Sequence, residues 1–133
     1  MPTDRSLPAW APIALPEPTP PPAGAYSPAV RAGNMIFVSG QVPKDLLTGR
    51  VVGSTVAEQT RQVMANMERA LAAAGATLSD LVMLNVYVTD TDHWAEFDAE
   101  YRKIMSAPYP TRTVAGAQLR GILVEINGIA VVP

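Results

Sequence analysis

Two charged residues stand in the most apolar part of the chain. In "YPTRTVAGAQLRGILVEINGIAVV", Arg112 lies between Pro110 and a β-branched run, and Glu125 interrupts a second apolar run 13 residues later. A buried charge is costly unless it is paired or used. A guanidinium offers a planar fork that binds a carboxylate through two parallel hydrogen bonds. A carboxylate can orient a water and accept its proton. Both residue types can do chemistry, but type alone does not say whether they do so here. Blander readings stand beside the chemical one. Arg112 also suits a surface position after a turn, paired with some carboxylate. Glu125 also suits an edge strand facing solvent.

The bulk numbers narrow the choice of chemistry. The 133 residues are 48% hydrophobic and 17% charged, as for a single globular domain with little surface charge. A net charge of −2 gives no electrostatic footprint for nucleic acid. The chain has no cysteine and one histidine, His93. Disulfides, thiolate nucleophiles, cysteine zinc sites and multi-histidine metal sites within one chain are excluded on that count. No metal and no cofactor are expected. No apolar run reaches the roughly 20 residues that span a bilayer. The N-terminal segment is broken by proline and carries Asp4 and Glu17, unlike a secretory signal. A cytoplasmic protein with no membrane partner is the expectation.

The elements that must position the two charges can be read along the chain. Eight of the 13 prolines fall in the first 22 residues. Residues 1–24 therefore read as a proline-rich arm rather than a core element, with Trp10, Ile13 and Leu15 available to lie on a surface. Residues 25–133 read as one domain. Ala29-Val30 and Met35–Val38 suit two strands turning at Gly33-Asn34. Thr55 and Glu58 fit a capping box, and Val56, Val63, Met67, Leu71 and Ala74 recur at helical spacing until Gly75. "LVMLNVYV", residues 81–88, is apolar at both parities, as in a strand covered on both faces. A second helix follows Asp90–Asp92 and carries Trp94, Phe97, Tyr101, Ile104 and Met105. Strands at Thr113–Ala117 and Leu123–Val131 complete a ββαβαββ order. We read Asn127-Gly128 as lying inside a long strand, although Asn-Gly also suits a hairpin turn.

Two helices cover only one face of such a sheet. The other face, with Leu84, Val86 and Val88 as candidates, is expected to seek a partner, which argues for an oligomer. Other polar positions read as structural. Asn66 and Asn85 are expected to satisfy local backbone groups. His93 is expected at an exposed helix start, and the methionines as core filler.

In order, "AYSPAVRAGNMIFVSGQVP", "EQTRQVMANMERALAAAGATLSDLV", "NVYVTD", "YPTR" and "VEINGIA" resemble the RidA (YjgF/YER057c/UK114) family over residues 25–131. The resemblance implies an α+β, chorismate mutase-like ββαβαββ fold, with one sheet, two helices on one face and a homotrimer built around the other. It implies hydrolytic deamination of reactive 2-imino and enamine carboxylic acids to 2-keto acids and ammonia. Carried over by position, Arg112 binds the carboxylate, Glu125 holds or activates water, Tyr26 lines the pocket, and Ser39 and Gly40 lie beside the substrate. Thr113, next to the arginine, is counted with the substrate-binding residues. Asp98 stands where the family often has asparagine, and an extra carboxylate there is expected to repel an anionic ligand. Three functions follow for comparison. They are a deaminase of small imino or enamine acids, including a form specialised for an aminomuconate-like intermediate; a non-catalytic small-carboxylate-binding module; and, weakest for an acidic chain, an endoribonuclease.

Overall fold

The computed structural model describes residues 9–133 and contains one six-stranded sheet with two helices on one face. The strands are β1 (Ala11–Ile13), β2 (Ala29–Ala32), β3 (Met35–Gln41), β4 (Leu81–Val88), β5 (Thr111–Gly116) and β6 (Val124–Val131). Their spatial order is β1-β2-β3-β6-β4-β5. All neighbours are antiparallel except β4 and β5, which run parallel because helix α2 (Trp94–Ile104) lies between them in sequence. No helix among the described residues is long and apolar enough to cross a membrane.

Helix α1 (Val56–Ala73) forms where its signals predict. The Thr55 hydroxyl accepts the Glu58 N–H at 3.1 Å and donates to the Glu58 carboxylate at 3.0 Å. At its other end Gly75 takes a φ of +80°, so that the Ala76 N–H reaches the Leu71 carbonyl at 2.8 Å. The face between these caps buries Val63, Met64, Met67 and Leu71 against the sheet. Asn66, on the same helix, does not serve local groups as expected. Its amide donates to the carbonyls of Val42 (2.9 Å) and Lys44 (2.8 Å), pinning the loop after β3 to the helix.

The covered and open faces are the reverse of the expectation for β4. Leu84, Val86 and Val88 are fully buried under the helices, beside Val124, Ile126 and Ala130 of β6. The open face carries Met83, Asn85 and Tyr87 instead. Three rows cross this face. Phe37, Ile129 and Met83 form an apolar one; Asn127, Asn85 and Thr113 a polar one; and Glu125, Tyr87 and Ala115 the third.

β6 passes through Asn127-Gly128 without turning, pairing Gly128 with Val38 on one side and Leu84 on the other. The arm is not purely an appendage. Residues 11–13 extend the sheet by pairing with β2, and Ile13 and Leu15 pack against the core. Its first eight residues lie outside the described residues.

Candidate functional site

Glu125 is placed by the alternation of β6. Val124 and Ile126 point into the core, so Glu125 faces the open side, half-buried and opposite Tyr87. A shift in the β3–β6 register between Val38 and Gln41 makes a bulge at Ser39-Gly40. The bulge matters because the Glu125 carboxylate lies directly over the Gly40 backbone. A Cβ built on Gly40 would collide with it. Gly40→Ala is therefore expected to swing Glu125 away and cut turnover by about tenfold, with most of the stability retained. Unchanged turnover would show that this contact does not position Glu125.

The Ser39 hydroxyl donates to the Ser27 carbonyl at 2.6 Å, so its proton is committed and its oxygen is left to accept. Tyr26 is 57% exposed. It lines a cavity of about 760 Å³ with Ser39, Asn85 and Asn127, and a second of about 530 Å³ with Gly40. Tyr26, Ser39, Gly40 and Glu125 thus belong to one neighbourhood.

Arg112 belongs to another. In β5 it pairs with Leu84, which puts its side chain on the helix-covered face, beneath α2. Its guanidinium carbon lies 4.8 Å from the Tyr101 ring centroid, 5.3 Å from Phe97 and 5.5 Å from Trp94. Its Nη1 donates to Asp98 Oδ1 at 2.8 Å, and both side chains are mostly buried, at 17% and 14% exposure. Asp98 also accepts from Arg102 Nε at 3.0 Å. Hydrogen bonds from Arg102 first, and then from Arg112, hold the Asp98 carboxyl below the usual carboxylate range against the opposing cost of burial. Burial pushes the Tyr101 phenol up, so it stays a neutral donor. A cavity of about 340 Å³ beside Arg112 is lined by Asp98, Tyr101, Arg102, Tyr109, Pro110 and Arg112.

One chain therefore does not bring Arg112 and Glu125 together. Arg112 pairs with Leu84 and Glu125 with Tyr87, an odd step along β4, so the two side chains lie on opposite faces. Thr113 follows the same rule. It faces the open side beside Asn85, away from Arg112. The partners of Arg112 were visible in the sequence only as a helical stripe. Trp94, Phe97 and Tyr101, with Asp98, occupy one side of α2, and it is this side that meets β5. Among the described residues, no group of three His, Cys, Asp or Glu side chains is placed to hold a metal ion.

Comparison with known proteins assigns this sheet to a class. The profile of the endoribonuclease L-PSP family matches residues 17–132. The chain belongs to that family, which includes RidA and YjgF. A RutC family protein of Saccharolobus solfataricus is 42% identical over 120 residues, covering 89% of this chain and 95% of the relative. A 2-iminobutanoate/2-iminopropanoate deaminase of Dermatophagoides farinae is 30% identical over 115 residues, covering 85% and 90%. The crystal structure of E. coli TdcF with bound serine superposes with a TM-score of 0.83 at 30% identity, covering 91% of this chain and 98% of that one.

Proposed function

We propose that the protein is a cofactor-independent deaminase that hydrolyses small 2-imino and enamine carboxylic acids to 2-keto acids and ammonia in the cytoplasm. The observation that carries this reading is Glu125. It is an acid set in an apolar strand, laid over the Gly40 bulge, with no ion pair among the described residues. A carboxylate so placed is free to act on water. The 2-iminobutanoate/2-iminopropanoate deaminase relative supports the reaction class, and the serine held by TdcF supports a ligand carrying a carboxylate.

The reaction asks little of the protein. An enamine first tautomerises to the imine, which is protonated to an iminium. Glu125 accepts a proton from water as the oxygen adds to the C=N carbon and returns it to the carbinolamine nitrogen; as the C–N bond breaks and the C=O forms, the hydroxyl proton passes to the departing ammonia. Iminium and water are converted to ketone and ammonium, with no electron transferred. Arg112 binds the substrate carboxylate and fixes the C=N carbon relative to the water. Tyr26 walls the pocket, Gly40 gives the carboxylate room, and Ser39 Oγ accepts from the substrate.

Opposite faces cannot serve one substrate within one chain, so a second copy completes the site. The apolar row on the open face, Phe37, Ile129 and Met83, supplies the contact, and a homotrimer closes it on itself. The test is ammonia release from 2-iminopropionate generated in situ. Arg112→Ala is expected to lose between about 10- and 100-fold in kcat/KM, the worth of a charge-assisted bidentate pair. Mixing Arg112→Ala chains with Glu125→Gln chains, followed by unfolding and reassembly, is expected to restore activity, because Arg112 of one chain and Glu125 of another make an intact site. A wild type no faster than the spontaneous reaction would sink the deaminase reading. A mixture no better than its parents would sink the shared site.

A further inference from the structure

We propose that Asp98 is a built-in competitor for the carboxylate on Arg112, and that it selects ligands carrying a cation next to their carboxylate over plain keto-acid anions. The inference rests on the reading of Arg112 as the carboxylate clamp. The cavity of about 340 Å³ beside Arg112 is within the range of a small-ligand site. It is lined by two guanidiniums, from Arg102 and Arg112, and by Tyr101. Tyr101 is 3% exposed, and its buried hydroxyl has no hydrogen-bond partner among the described residues. A buried donor without an acceptor is expensive. It marks a place for an oxygen that the chain itself does not supply.

The one carboxylate already in this place is Asp98. It holds Arg112 Nη1 at 2.8 Å, the position a ligand carboxylate must take. Asp98 is also held from its other side by Arg102, whose own side chain is exposed. An incoming carboxylate can therefore displace Asp98 from Arg112 without stripping it of a partner. The displaced Asp98 remains beside the ligand as a fixed negative charge, since Arg102 still holds it. A 2-keto acid offers that charge only repulsion. A protonated 2-imino acid carries a cation one carbon away from its carboxylate and offers a partner. Asp98 thus favours the substrate of the proposed reaction over its product, and lets the product leave.

The experiment measures binding of pyruvate and of alanine, which differ at that one carbon, by calorimetry to the full chain. For Asp98→Asn, pyruvate affinity is expected to rise about fivefold, a ratio at the upper end for a solvent-exposed charge pair. Alanine affinity is expected to stay level or fall. Arg112→Ala loses both ligands. If Asp98→Asn leaves the pyruvate-to-alanine ratio unchanged while Arg112→Ala still abolishes binding, the clamp stands and the competitor is overturned. If Arg112→Ala binds both ligands as wild type does, the clamp itself has failed. Arg102→Ala, at an exposed position, keeps the question open to refutation should Asp98→Asn not fold. It removes the cation that partly neutralises the displaced Asp98, so pyruvate is expected to weaken more than alanine. Equal weakening of the two overturns the proposal.

Discussion

Glu125→Gln is expected to lower ammonia release by about 10²–10⁴-fold, the usual contribution of a positioned general base. The substitution keeps the volume and shape of the side chain and removes only its ability to take a proton. Glu125 has no ion pair among the described residues. Its neighbours across the strand are Tyr87 and the Gly40 bulge, neither of which needs a charge. The melting temperature is therefore expected to stay at the wild-type value. Calorimetric melting beside the rate assay separates the outcomes. A rate loss at unchanged stability supports the catalytic role. A rate that survives the change means that water is activated by some other group.

Phe97→Ala is expected to cost about 3–5 kcal/mol, the range for deleting a fully buried aromatic ring. Phe97 is completely buried and packs against Tyr101 with ring centroids 5.6 Å apart. It is also part of the aromatic ceiling over Arg112. The loss is thus felt twice. Urea denaturation reads the stability change, and the KM of the folded fraction is expected to rise as Arg112 gains freedom. A cost below about 1 kcal/mol would mean that α2 is not held on the sheet as described here.

The parts of the fold legible in the sequence were those with two agreeing local signals. Helix α1 had a cap at Thr55, a periodic apolar face and a stop at Gly75, and it forms between those residues. The long strand through Asn127-Gly128 was read from two things together, the shortness of "IAVVP" as a hairpin arm and the family resemblance, and β6 does run through it. β1 was not legible. It is three residues set among prolines, and its pairing with β2 depends on contacts far along the chain.

The facing of β4 was misread for a clear reason. Residues 81–88 are apolar at both parities, so alternation alone does not say which side meets the helices. The polar mark was Asn85, which shares its parity with Met83 and Tyr87 and faces out with them. The same ambiguity hid the relation of the two charges. Arg112 and Glu125 were recognised by residue type and resemblance. Whether they share a face depends on the pairing of β5 and β6 with β4, which the loop between them leaves undetermined.

The last strand of the chain fills the middle of the sheet. β6 lies between β3 and β4, and without it the strands fall into two unconnected groups, β1-β2-β3 and β4-β5. During synthesis, helix α1 can form early from local contacts, but the core has no centre until residues 124–131 have left the ribosome. Until then each group presents a bare edge beside β3 or β4. The nascent chain thus carries the bare edge of β3 for most of its elongation, and that of β4 as well once residues 81–88 are made, until β6 pairs with both.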